Sequence, residues 1–147
     1  MKYSHVIAAI DTTDNPKKVL DAARQISLEH NAQLSLITVL KPFLQVYGGM
    51  DMPTISNIEH DAVQEATECL TGYARALGLE DDRVFVVQGD APTEIRKLAR
   101  ELNAELVVMG AHGRHGLRLM MCGSTAGAVL RGTDCDVFAV RIKDHAA

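Results

Sequence analysis

Five short apolar runs punctuate the chain: His5–Ile10, Leu34–Leu40, Val84–Val87, Glu105–Met109 and Val137–Ile142. They are rich in Val and Ile and mostly apolar on both faces, the pattern of strands covered on both sides in a parallel sheet. Between them the apolar positions recur at helical spacing. Val19, Ala23 and Ile26 predict a first helix. Ala62, Ala66, Cys69, Tyr73 and Leu77 form the stripe of a longer second one, stopped at Gly78. The third begins near Pro92 and presents Ile95, Leu98 and Leu102; the fourth runs from about Ser124 to Arg131 and ends at Gly132.

This alternation predicts one α/β domain over residues 1–147: a single doubly wound, open, parallel five-stranded sheet with helices on both faces. Right-handed crossovers make 3-2-1-4-5 the economical strand order. The connection from Lys41 to Asn57, with Pro42, Gly48-Gly49 and Pro53, is long for such a fold. It is a candidate lid or partner surface, with a merely packed loop as the alternative.

With 147 residues the domain can bury about two thirds of its unfolded surface. A formal net charge of −4 argues against nucleic acid as a partner, which calls for a basic stripe. The apolar stretch Val6–Ile10 is too short for a signal-peptide core, and no run approaches the roughly 20 residues of a membrane span. Cys69, Cys122 and Cys135 lack metal-ligand spacing and read as reduced thiols of a cytoplasmic protein.

The chemistry concentrates after the fourth run. Six of the eleven glycines fall between Gly110 and Gly132, including Gly110-Ala111-His112-Gly113 and, nine residues on, Gly123-Ser124-Thr125. Strand, glycine loop and helix start together let backbone N–H groups approach an anion. Gly110 and Gly113 can take positive φ and leave room for a ligand, or simply turn the chain. Ser124 can hold a phosphate oxygen or merely cap its helix. Arg114, with His112, His115 and Arg118, gathers positive charge beside the glycines.

In the order 3-2-1-4-5, the loops after strands one and four leave the sheet on opposite faces and open a crevice. Asp11 ends the first strand, so it meets the glycine loop there across about a hundred residues of sequence. Asp11 can accept from a ribose hydroxyl or bind Mg²⁺; capping the turn Thr12-Thr13-Asp14-Asn15 is its rival role. A few charge-assisted hydrogen bonds of roughly 1.5–3 kcal/mol each support micromolar rather than nanomolar binding.

Gly110-x2-Gly113-x9-Gly123-Ser124 resembles the nucleotide-binding branch of the universal stress protein family, whose pattern is Gly-x2-Gly-x9-Gly-(Ser/Thr). The opening His5-Val-Ile-Ala-Ala-Ile-Asp11 and the closing Cys135-Asp-Val-Phe-Ala-Val140 are similar to that family's first and last strands. The resemblance covers essentially the whole chain. It implies a Rossmann-like fold and a bound adenine nucleotide, ATP first, with AMP or ADP as alternatives and Mg²⁺ as a companion. It places the base near Val39 and Met109, the ribose near Asp11, and the phosphates along Gly113, Gly123, Ser124 and Thr125, with Ala9, Gly110 and Arg114 also among the nucleotide-binding residues. It further implies a homodimer through the last strand, Val137 to Val140, and an unidentified protein partner in a stress response. The chain departs from the family's usual residues at Thr12-Thr13 and at Thr38.

Enzyme signatures are missing from the sequence. No GxxxxGK(S/T) or GxSxG occurs, and no GxGxxG follows the first strand. A receiver domain would need an acceptor Asp after strand three, where Asp90 is displaced. With no catalytic constellation evident, the expectation is a nucleotide-binding regulatory protein. A nucleotide-free dimeric interaction module and a very slow ATPase or autophosphorylating protein are the alternatives.

Overall fold

The computed structural model describes residues 2–12, 15–42, 49, 51–112, 127–129 and 131–142. Strand β1 (His5–Ala9) is followed by helix α1 (Lys17–His30), β2 (Gln33–Leu40) and helix α2 (Met52–Ala76). A 3-10 turn (Asp81–Arg83) leads into β3 (Val84–Gln88), α3 (Ala91–Glu101), β4 (Leu106–His112) and β5 (Asp136–Ile142). Residues 127–129 and 131–132 are helical. The strands form one sheet in the order β3-β2-β1-β4-β5, and each neighbouring pair is parallel.

Alternation along the strands divides the core into two layers. Val6, Ala8, Leu34, Leu36, Leu106 and Val108 pack with α1 and with Leu70 and Ala74 of α2. Ile7, Ile37, Val107 and Met109 pack on the opposite face with Ile95, Leu98 and Ala99 of α3 and with Val129. Both faces of β1, β2 and β4 are therefore covered, which is why their sequences read as nearly continuous apolar runs.

Local chemistry sets the helix ends. Asn31 closes α1 at φ 53°, a left-handed conformation that Asn tolerates, and its N–H reaches the carbonyls of Leu28 and Ser27. Gly78, at φ 77°, follows α2 as expected of a terminating glycine. At the start of α3, Asp90 accepts from Thr93 N at 3.2 Å and from Thr93 Oγ1 at 2.6 Å. These bonds hold its carboxyl below the usual carboxylate range.

Two details differ from the sequence expectation. Helix α2 begins at Met52, so the last part of the connection read as running to Asn57 is helical. Pro53 sits in the first turn, where its missing N–H costs nothing, so a residue that looked like a loop signal opens a helix. The fully buried positions of α2 are Ile55, Ala66, Leu70 and Ala74; of the expected stripe only Ala66 is among them. Tyr73 and Leu77 flank that contact and are partly buried.

The amino end of the sheet holds a buried polar pair. His5 Nε2 and Ser35 Oγ, on neighbouring strands, share a hydrogen bond of 2.7 Å. The Glu105 carboxylate accepts from the backbone N–H groups of Ser4 and His5. Burial, helped by Arg83 and opposed by Glu105, pushes the His5 imidazole below its ordinary value. The unfolded chain therefore binds more protons between the two values, and stability falls as pH drops below about 6.5. Urea midpoints measured from pH 7 to 5 should decline more steeply in the native chain than in His5→Gln. Equal slopes would remove His5 from the acid response.

Candidate functional site

The topology reverses between β1 and β4. After β1 the chain passes to α1 on one face, and after β4 it reaches Val129 on the other. The carboxyl ends of these two adjacent strands thus border the crevice in which open α/β sheets receive ligands.

Three strands contribute an apolar floor to one side of this crevice. Ala9 lies in register with Ile37 on β2 and with Met109 on β4. Val39 is two residues beyond Ile37, so it points to the same face. Ala9 and Val39 are half-buried around a Met109 that is 5% exposed. Val39 and Met109, the positions expected near a base, are therefore brought together with Ala9 on one face at one end of the sheet. Flat apolar contact with little charge suits a purine ring. Asp11, two residues past Ala9, is exposed at the rim. Thr38, on the alternate face, is buried at 3% exposure.

Gly110 has a different position from the one its sequence suggested. It is not in a loop and does not have positive φ. It belongs to β4, which continues to His112 and pairs with β5 at Val140, Arg141 and Ile142. A Cβ at Gly110 would collide with Ile142 Cδ1 and lie 3.5 Å from Val19 Cγ2. Gly110 is thus bare so that β5 and α1 can close over the sheet. Gly110→Val should cost about 1–3 kcal/mol of stability through overpacking, read from denaturant unfolding. A neutral result would mean that Ile142 swings aside freely.

Gly113, Arg114, Gly123, Ser124 and Thr125 lie outside the described residues, as do His115 and Arg118. The helical residues 127–132, apart from 130, follow this segment. Among the described residues no group of three His, Cys, Asp or Glu could hold a metal ion, so Asp11 would need ligands from elsewhere. No helix among them is long and apolar enough to cross a membrane.

Two of the perturbed titratable groups, Tyr3 and His5, stand away from the crevice. Tyr3 Oη donates to Asp136 Oδ2 at 2.8 Å, a bond that raises the phenol's pKa. Tyr3 and His5 both sit at the amino end of the sheet, opposite the crevice, so their environments serve the fold. Cys135 Sγ donates to the carbonyl of Ala104 at 2.9 Å and likewise fastens the start of β5. Sequence reading also missed Arg96, whose Nη1 donates to the carbonyl of Ala128 at 2.7 Å. No local pattern distinguishes this arginine from its solvated neighbours on α3.

The strand order and the two-sided helical cover define an open, doubly wound α/β domain of the Rossmann-like class. The model of the universal stress protein family matches residues 2–141, and the chain belongs to that family. Universal stress protein A homolog 1 of Coxiella burnetii is 34% identical over 145 residues, covering 98% of this chain and 100% of that protein. The structure of universal stress protein UspA from Lactobacillus plantarum superposes with a TM-score of 0.77 at 18% identity, covering 96% of this chain and 99% of that one. A universal stress protein crystallised in complex with cAMP superposes with a TM-score of 0.62 at 26% identity, covering 95% and 98%.

Proposed function

We propose that the chain is an adenine-nucleotide-binding regulatory protein of the stress response, with ATP as its first ligand. The observation that carries this reading is the convergence of Ala9, Val39 and Met109 at the carboxyl ends of adjacent strands. The base rests on that floor and Asp11 accepts from the ribose. Backbone N–H groups at Gly113, Gly123, Ser124 and Thr125, with Arg114, take the phosphates. Mg²⁺, which binds through few carboxylates plus substrate phosphates, enters with the triphosphate.

Nucleotide orders the loops after β1 and β4, and the ordered surface is what a protein partner recognises. Two copies associate through β5, an edge strand with Phe138 47% exposed. Unprotected strand edges of this kind favour pairing with another chain. The protein works in the cytoplasm. Catalysis has no part in this reading.

The relative held in complex with cAMP favours a second reading, in which a cyclic nucleotide occupies the same floor. Both are tested by purifying the native protein, denaturing it with heat and identifying small molecules in the supernatant by mass spectrometry. Stoichiometric ATP supports the first reading and cAMP the second. An empty supernatant, together with no binding of either on titration, leaves a nucleotide-free dimeric module. Phosphate release followed over hours would expose slow hydrolysis.

A further inference from the structure

Successive backbone N–H groups at the amino end of β1 donate to side chains of other elements. Those of Ser4 and His5 go to the Glu105 carboxylate, each at 3.0 Å. That of Tyr3 goes to Nδ1 of His30, the last residue of α1, also at 3.0 Å. The two rings lie against each other with centroids 4.8 Å apart. Tyr3 Oη then continues to Asp136 at the start of β5. Tyr3 thus ties the end of α1 to the start of an edge strand.

A backbone N–H can only donate, so Nδ1 must accept and the His30 proton sits on Nε2. The bond therefore exists only while the ring is neutral. A second proton sets N–H against N–H, and the ring has to turn away from Tyr3. The Glu105 bonds behave differently. A carboxylate accepts for as long as it is ionised, and carboxylates as a class lose their charge about two pH units below histidines.

Charged neighbours do not oppose a positive ring. Among the described residues, the titratable groups on the elements around His30 are the Tyr3 phenol, Asp136 of β5 behind it, and Glu105. Glu29, bonded to Gln25, adjoins it on α1. These carboxylates and the carboxyl end of α1 attract a cation. Lys2 on the amino-terminal segment is exposed to solvent. Arg83 is held by Gln33 at 3.0 Å, and His5 by Ser35. The charge is tolerated, and the bond to Tyr3 is what gives way.

We infer that His30 and Tyr3 form an acid-opened clasp. Protonation of His30 releases the Tyr3 N–H and frees Tyr3 from α1, while Ser4 and His5 stay pinned to Glu105. The start of β5 then loses its tie to α1. This device is independent of the nucleotide reading.

The test is amide exchange measured by NMR on the whole protein from about pH 7.5 to about pH 5, the range in which histidines change charge. Rates are corrected for the intrinsic pH dependence of exchange, and the His30 ring proton is followed in the same samples. Protection at Tyr3 should fall about three- to tenfold as His30 titrates, the worth of one hydrogen bond, while Ser4 and His5 keep theirs. His30→Asn puts a non-titrating oxygen near the place of Nδ1 and should leave Tyr3 protection level across the range. His30→Leu should expose that amide throughout. A Tyr3 amide indifferent to the His30 titration, or one that responds equally in His30→Asn, would overturn the clasp. A matching loss at Ser4 and His5 would overturn it too, because it would mark a general acid loosening of the fold.

Discussion

Leu70→Ala should lower the unfolding free energy by about 2–5 kcal/mol, whereas Cys69→Ala one position away should cost clearly less. Leu70 is 0% exposed and sits where α2 meets Leu34, Leu36 and the neighbouring strands. Its truncation removes transfer energy and leaves a cavity that a close-packed sheet layer cannot collapse. Cys69 is only half-buried and free of any disulfide, so its loss leaves a shallower gap. Urea denaturation of the two variants measures both costs. A Cys69 variant as damaged as the Leu70 variant would restore the stripe that the sequence suggested.

That contrast shows where periodicity stops being informative. Ala62, Ala66, Cys69, Tyr73 and Leu77 make an acceptable helical stripe, and so do Ala66, Leu70 and Ala74. The helix carries a wide apolar arc, and only the strands beneath decide which line of it is central. The strand order was easier to read, because short runs that are apolar on both faces and alternate with helices leave few right-handed arrangements. The start of α2 was harder, since Pro53 is a helix opener and a loop signal alike.

The candidate site divides in the same way. The family pattern pointed to Val39 and Met109, and strand register brings them together with Ala9. Gly110 was misread because nothing local reveals that β4 runs on to His112 beside β5. Arg96 was invisible because its partner is distant in sequence.

Gly113→Val should weaken ATP at least tenfold, equivalent to about 1.4 kcal/mol, in a protein that remains folded. The proposed phosphate contact there is made by backbone, and backbone approaches an anion closely only where no side chain intervenes. A branched substituent adds bulk at the contact and restricts the loop's conformations. Calorimetric titration with ATP and adenosine should locate the loss in the triphosphate. Unchanged ATP affinity would take the phosphates away from that loop.

The central claim is that an adenine nucleotide lies at the carboxyl ends of β1 and β4, its base on Ala9, Val39 and Met109. A crystal structure grown with excess ATP tests it most directly. The predicted result is purine density over those three side chains, with phosphates against the chain from Gly113 to Thr125. Nucleotide bound elsewhere, or a crevice filled by the protein's own side chains at saturating ATP, would contradict it.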